Sequence, residues 1–96
     1  MKREYEIALV LPAGKSDDEY NVMLDRVSGW VNDGEGEVTG SDVWGRRRLA
    51  YQIGQHREGY YVFLKAQLEA SSINELSRRL NIDAEVVRYL VIREDD

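Results

Sequence analysis

Two segments of this chain carry the same four-residue pattern, Ser16-Asp17-Asp18-Glu19 and Ser72-Ile73-Asn74-Glu75. A serine oxygen placed before a helix accepts from the backbone N–H three residues on, and a glutamate at that position reaches back to the serine N–H. Each pattern therefore predicts a helix start. After the first, Tyr20, Met23, Leu24, Val27 and Val31 recur at helical spacing until Asn32-Asp33-Gly34,. After the second, Ile73, Leu76 and Leu80 mark one face of a shorter helix. Two helix starts so far apart leave room for strands before, between and after them.

The strands read by alternation. Tyr5, Ile7, Leu9 and Leu11 share one face of a first strand, with Glu4, Glu6, Ala8 and Val10 on the other, and Pro12-Ala13-Gly14 ends it,. Glu37 to Ile53 reads as a long strand bent at Gly40 or Gly45,. Gly54 to Gly59 is expected as a hairpin loop, and Tyr60 to Leu68 as a strongly β-prone strand,. Val86 to Arg93 is the last strand, followed by a frayed Glu94-Asp95-Asp96 tail. The order β-α-β-β-α-β predicts an α+β, ferredoxin-like domain spanning residues 1–96, with a four-stranded antiparallel sheet and two helices on one face,. The other sheet face is left open to solvent or to a partner.

Chemistry is excluded more readily than assigned. The chain has no cysteine and one histidine, so thiolate and multi-histidine metal sites are ruled out and no cofactor is expected,. His56 falls in the expected hairpin loop, where solvation is its ordinary state. Gly14-Lys15-Ser16 lies between a strand and a helix, but a phosphate loop needs a glycine five residues earlier, where Leu9 stands,. No pair of carboxylates marks a catalytic cleft, and no enzyme is indicated. The longest apolar run near the start, Ile7 to Leu11, is too short for a signal core or a membrane span,. These features read as a soluble cytoplasmic protein.

Charge is uneven. The formal net charge is -5, yet residues 1–45 hold 4 Lys/Arg against 10 Asp/Glu, whereas residues 46–96 hold 9 against 8. The cations concentrate in Trp44-Gly45-Arg46-Arg47-Arg48-Leu49-Ala50-Tyr51. At strand period, Arg46, Arg48, Ala50 and Gln52 fall on one face and Arg47, Leu49, Tyr51 and Ile53 on the other. Leu49 and Ile53 are expected to join the helix-covered core, which sends Arg46 and Arg48 to the open face. Arg47 is then left near the sheet margin, its stem packed and its head in water. In the next strand Val62, Leu64, Ala66 and Leu68 suit the core, so Tyr61, Phe63, Lys65 and Gln67 point outward. In the last, Arg88, Leu90 and Ile92 share the open parity. An open face combining aromatic, aliphatic and arginine side chains marks an interaction surface.

The chain resembles the family of the sixth protein of the bacterial small ribosomal subunit. The resemblance runs through Lys2 to Glu6, Trp44 to Ile53, Glu58 to Phe63, Ile73 to Asp83 and Val86 to Arg93. It implies a structural ribosomal protein that binds the central domain of small-subunit ribosomal RNA as a heterodimer with the eighteenth small-subunit protein. Lys2, Arg3 and Tyr5 match the family's N-terminal start, Arg47, Arg48 and Tyr51 its arginine and tyrosine signature, and Arg88 its arginine near the last strand. The family commonly has proline where Gln52 stands, so the local shape at that edge differs here. The candidate RNA contacts are Lys2, Arg3, Tyr5, Arg46, Arg47, Arg48, Arg88 and Arg93. The candidate partner contacts are Tyr51, Gln52, Tyr61, Phe63 and Leu90. Two rivals on the same fold make different demands. A homodimeric regulatory or protein-interaction module needs a pocket at a subunit interface. An acyl-phosphate hydrolase needs an arginine in the loop after the first strand, where only Lys15 stands.

Overall fold

The computed structural model describes residues 1–94. The elements are β1 (Lys2–Pro12), α1 (Asp17–Asp33), β2 (Glu37–Ile53), β3 (His56–Glu69), a single 3-10 turn (Ala70–Ser72), α2 (Ile73–Ile82) and β4 (Arg88–Arg93). The four strands form one antiparallel sheet in the order β2-β3-β1-β4. This is the ferredoxin-like arrangement expected from the sequence. Of the expected frayed tail, Asp95 and Asp96 lie outside the described residues. Glu94 continues the sheet, its N–H donating to the Glu4 carbonyl at 2.9 Å.

The helices cover the face built from Tyr5, Ile7, Leu9, Val62, Leu64, Ala66 and Leu68, all buried. From α1 come Val27 and Val31, and from α2 Leu76 and Leu80. Each such side chain contributes roughly 1.5–3 kcal/mol by leaving water. A second cluster gathers Leu11, Tyr20 and Met23 under the start of α1. There the Tyr20 ring stacks on Tyr60 at 3.6 Å, and its hydroxyl donates to the Pro12 carbonyl at 2.6 Å.

Of the two expected capping boxes, the first forms. Ser16 Oγ accepts from the Glu19 N–H at 3.2 Å, and Glu19 Oε1 accepts from the Ser16 N–H at 3.0 Å. The second does not. Ser72 sits at φ -90°, ψ -8°, already turned into helical space by the 3-10 turn, and its hydroxyl donates to the Glu69 carbonyl at 2.8 Å. Glu75 is instead gripped by Arg78 and Arg79.

Those two guanidiniums, Arg78 foremost, hold the Glu75 carboxyl at about 2, below its ordinary 4.5. A lowered acid favours the folded state above pH 4.5 and loses that contribution as pH falls toward 2,. The group is exposed, so the effect is small and screened by salt. Glu75→Gln is therefore expected to flatten the decline of Tm between pH 4.5 and 2 at low salt. Parallel melts of the two proteins that stay superimposed across this range would show that the pair adds nothing.

Three expectations about β2 and β3 need correction. The loop between them is two residues, Gly54-Gln55, with Ile53 paired to His56. Gly54 has φ +57°, which suits a two-residue turn with glycine first,. The segment from His56 to Gly59, expected as loop, is strand, and His56 is its first residue. The expected bend of β2 is present as register shifts between Val38 and Gly40 and between Val43 and Gly45.

The third correction concerns which way the arginines face. Arg46 pairs with Tyr60 and Arg48 with Glu58, on the helix side, whereas Arg47 pairs with Gly59 on the open side. Leu49 is buried but belongs to neither helix-covered cluster. The reason is where β1 ends. Pro12 is its last residue, opposite Gly59. Residues 47–58 therefore extend past the helix layer, and an apolar side chain there has no helix to pack on. The arm curls over the open face instead. Leu49, Tyr51 and Ile53 line a hollow of about 80 Å³ shared with Val10, Tyr61 and Arg88. Gly59 permits this approach, because a Cβ there would lie well inside contact distance of Val10 Cγ1,.

Candidate functional site

The open face divides into two parts. Toward the β4 edge, Ala8, Val10, Tyr61, Arg88, Tyr89 and Leu90 border a shallow groove of about 240 Å³. Leu90 is 57% exposed beside it, and Ile92 is also exposed. The folded arm closes one side of this groove. Tyr51, although on the opposite edge strand β2, reaches across the sheet to β4, where Arg88 Nη1 donates to its hydroxyl. The Arg88 guanidinium also lies 5.7 Å from the centre of the Tyr51 ring. A tyrosine so placed fixes an arginine through both a hydrogen bond and the ring's π face.

Toward the β2 edge, Trp44 occupies the second register shift and leans on Phe63, ring centres 4.7 Å apart at 55°. Its indole N–H donates to Asp42 Oδ2 at 3.1 Å. Arg47 lies 6.0 Å from the Trp44 ring. Gly45, with φ +77°, completes the bulge that turns Trp44 onto this face,.

The electrostatics follow the same division. On the helix side, four arginines are tied to acids. Arg79 bonds Asp33 and Glu75, Arg78 bonds Glu75, and Arg26 Nη2 bonds Glu85 at 3.1 Å. Arg46 is held by Glu58 at 2.6 Å, and each raises or lowers the other's pKa toward its charged form. The start of α1 adds Asp17, Asp18 and Glu19. Among the described residues, Arg47 and Arg88 have no carboxylate within ion-pair distance. The open face thus offers these two cations to an outside anion.

Of the expected RNA contacts, the register brings Lys2, Arg47 and Arg88 to the open face. Arg3, Arg46, Arg48 and Arg93 share the helix-side parity, correcting the placement of Arg46 and Arg48. Tyr5 is corrected more strongly. It is 7% exposed and packed in the core, because its position in β1 alternates with Ile7 and Leu9. Of the expected partner contacts, Tyr61, Phe63 and Leu90 lie on the open face as anticipated. Tyr51 joins them from the arm rather than anchoring the covered side. Gln52 turns inward on its own hairpin, its amide donating to the Gly54 carbonyl at 2.8 Å. Sequence reasoning missed Trp44 as a site residue. The signal was Gly45 beside it, since a glycine inside a long strand often marks a bulge that re-aims its neighbour.

A family model described as Ribosomal protein S6 matches residues 4–93. The chain is 41% identical over 95 residues to the small ribosomal subunit protein bS6 of Carboxydothermus hydrogenoformans, with 99% of each chain covered. It is 38% identical over 93 residues to the protein of the same name from Desulforudis audaxviator, covering 97% of this chain and 99% of that one. The crystal structure of 30S ribosomal protein S6 from Thermotoga maritima superposes with a TM-score of 0.88 at 21% identity, over 98% of this chain and 89% of that one. That likeness carries the fold.

Proposed function

The chain belongs to the ribosomal protein S6 family, a structural protein of the small ribosomal subunit rather than an enzyme, and from that premise we propose that it binds the central domain of small-subunit ribosomal RNA together with the eighteenth small-subunit protein. The observation that carries this reading is the pairing pattern of the arginines. Arg46, Arg78 and Arg79 are paired with internal acids, whereas Arg47 and Arg88 flank exposed aromatic and aliphatic groups on the open face.

Arg47 and Arg88 alone neutralise few phosphates on an acidic protein, and counterion release scales with that number. The acidic helix layer also repels RNA,. Affinity for RNA then requires a second, more basic chain, and the apolar groove beside Leu90 offers it a place to dock,. Arg47 and Arg88 position the pair on backbone phosphates, and irregular RNA geometry supplies the fit. Lys2 adds a further cation on this face, and Arg3, Arg48 and Arg93 stand on the opposite one. Filter binding with a central-domain RNA fragment tests the idea at moderate salt. Tight binding is expected only for the mixture with the eighteenth protein. Equally tight binding by the isolated chain would overturn the cooperative part.

A further inference from the structure

Trp44 is 52% exposed on the open face. Its orientation here is fixed from three sides: Phe63 behind the ring, Asp42 on the indole N–H, and the Gly45 bulge beneath. We infer that Trp44 is a stacking platform for one unpaired RNA base, with Arg47 taking the phosphate of the same nucleotide. The inference rests on the RNA-binding reading above and adds to it a site and a ligand.

The surroundings favour a nucleotide over a protein side chain. Around Trp44 the same face carries Asp42, Arg47 and Lys65, so charged groups border the aromatic pair on its outer side, while Phe63 faces Ala8 on its inner side. A protein interface core needs a continuous apolar patch, and the groove across β1 and β4 around Ala8 and Leu90 supplies one. A base needs only a π face and a nearby cation. Arg47 meets the second need, with its guanidinium 6.0 Å from the ring centre and no acid to hold it elsewhere. Strands β2 and β4 are the two outer strands of four. At about 4.8 Å per strand Trp44 and Leu90 are roughly 14 Å apart across the sheet, so a protein centred on Leu90 and a nucleotide on Trp44 can sit side by side.

The test uses the full chain with Trp30→Phe, so that emission reports Trp44 alone. Trp30 packs against the helix-covered core and is distant in the fold from the open face. Adding the eighteenth protein is expected to leave the emission unchanged, and adding the central-domain RNA to quench it. In the unmutated background Trp44→Ala is expected to weaken RNA binding by the two-protein assembly about tenfold. Trp44→Phe, which keeps a π face, retains most of the affinity. Quenching by the protein partner alone would reassign Trp44 to that interface and overturn the inference. So would unchanged RNA affinity in Trp44→Ala under conditions where Arg88→Ala binds more weakly. Absence of RNA binding by the unmutated assembly would instead overturn the RNA reading itself.

Discussion

Replacing Arg47 and Arg88 together by alanine is expected to weaken RNA binding by the two-protein assembly about a hundredfold, roughly tenfold for each charge-assisted hydrogen bond lost. The dependence of affinity on salt should fall as well, by about one phosphate equivalent per arginine. Neither side chain supports the core: Arg47 touches the Trp44 ring, and Arg88 holds the exposed hydroxyl of Tyr51. Thermal stability should therefore change little, which separates lost contact from lost fold. The informative control is Arg78→Ala with Arg79→Ala. Those two carry the same charge but sit on α2, already paired with Glu75 and Asp33. They are expected to lower stability slightly and leave RNA affinity almost unchanged. Equal losses from the two double variants would mean that net charge, not the open face, governs binding.

How far this surface was legible in the sequence depends on how local each feature is. The core faces of β1 and β3 were readable because each alternates without interruption and each is helix-covered along the stretch that alternates. The first helix start was readable because a capping box is complete within four residues. The second segment has the same serine and glutamate spacing, yet a 3-10 turn placed Ser72 one step too far into the helix. The arginine run failed for a non-local reason. Alternation correctly separated Arg47, Leu49 and Tyr51 from Arg46 and Arg48, but nothing within the strand states which set faces the helices. That was decided by the end of β1 at Pro12, beyond which the covered side has no partner. Apolar character alone then pointed Leu49 to the wrong layer. The Tyr51–Arg88 contact, between residues 37 apart in sequence on strands that are not neighbours, had no local signal at all.

The folded arm gives the second strong prediction. Gly59→Ala is expected to destabilise the protein by about 1–3 kcal/mol, because the added Cβ must overlap Val10 Cγ1 and a branched side chain in a strand has little freedom to move,. Leu49 Cδ2 at 3.5 Å and the Leu11 carbonyl at 3.6 Å close the other directions of escape. For a chain of this size each kcal/mol lowers Tm by roughly 4–8 °C, so differential scanning calorimetry resolves the effect. The backbone's cheapest response is to swing the arm away from the sheet, and that motion carries Tyr51 off Arg88. RNA binding by the assembly should consequently fall even at temperatures where the variant is folded. Val10→Ala removes the colliding methyl group and tests the cause directly. On its own it costs stability by opening a cavity, but in the double variant Gly59→Ala, Val10→Ala the two losses should not add, with a coupling of about 1 kcal/mol or more. Strict additivity would place the cost of Gly59→Ala in its own backbone conformation rather than in the packing of the arm on the open face.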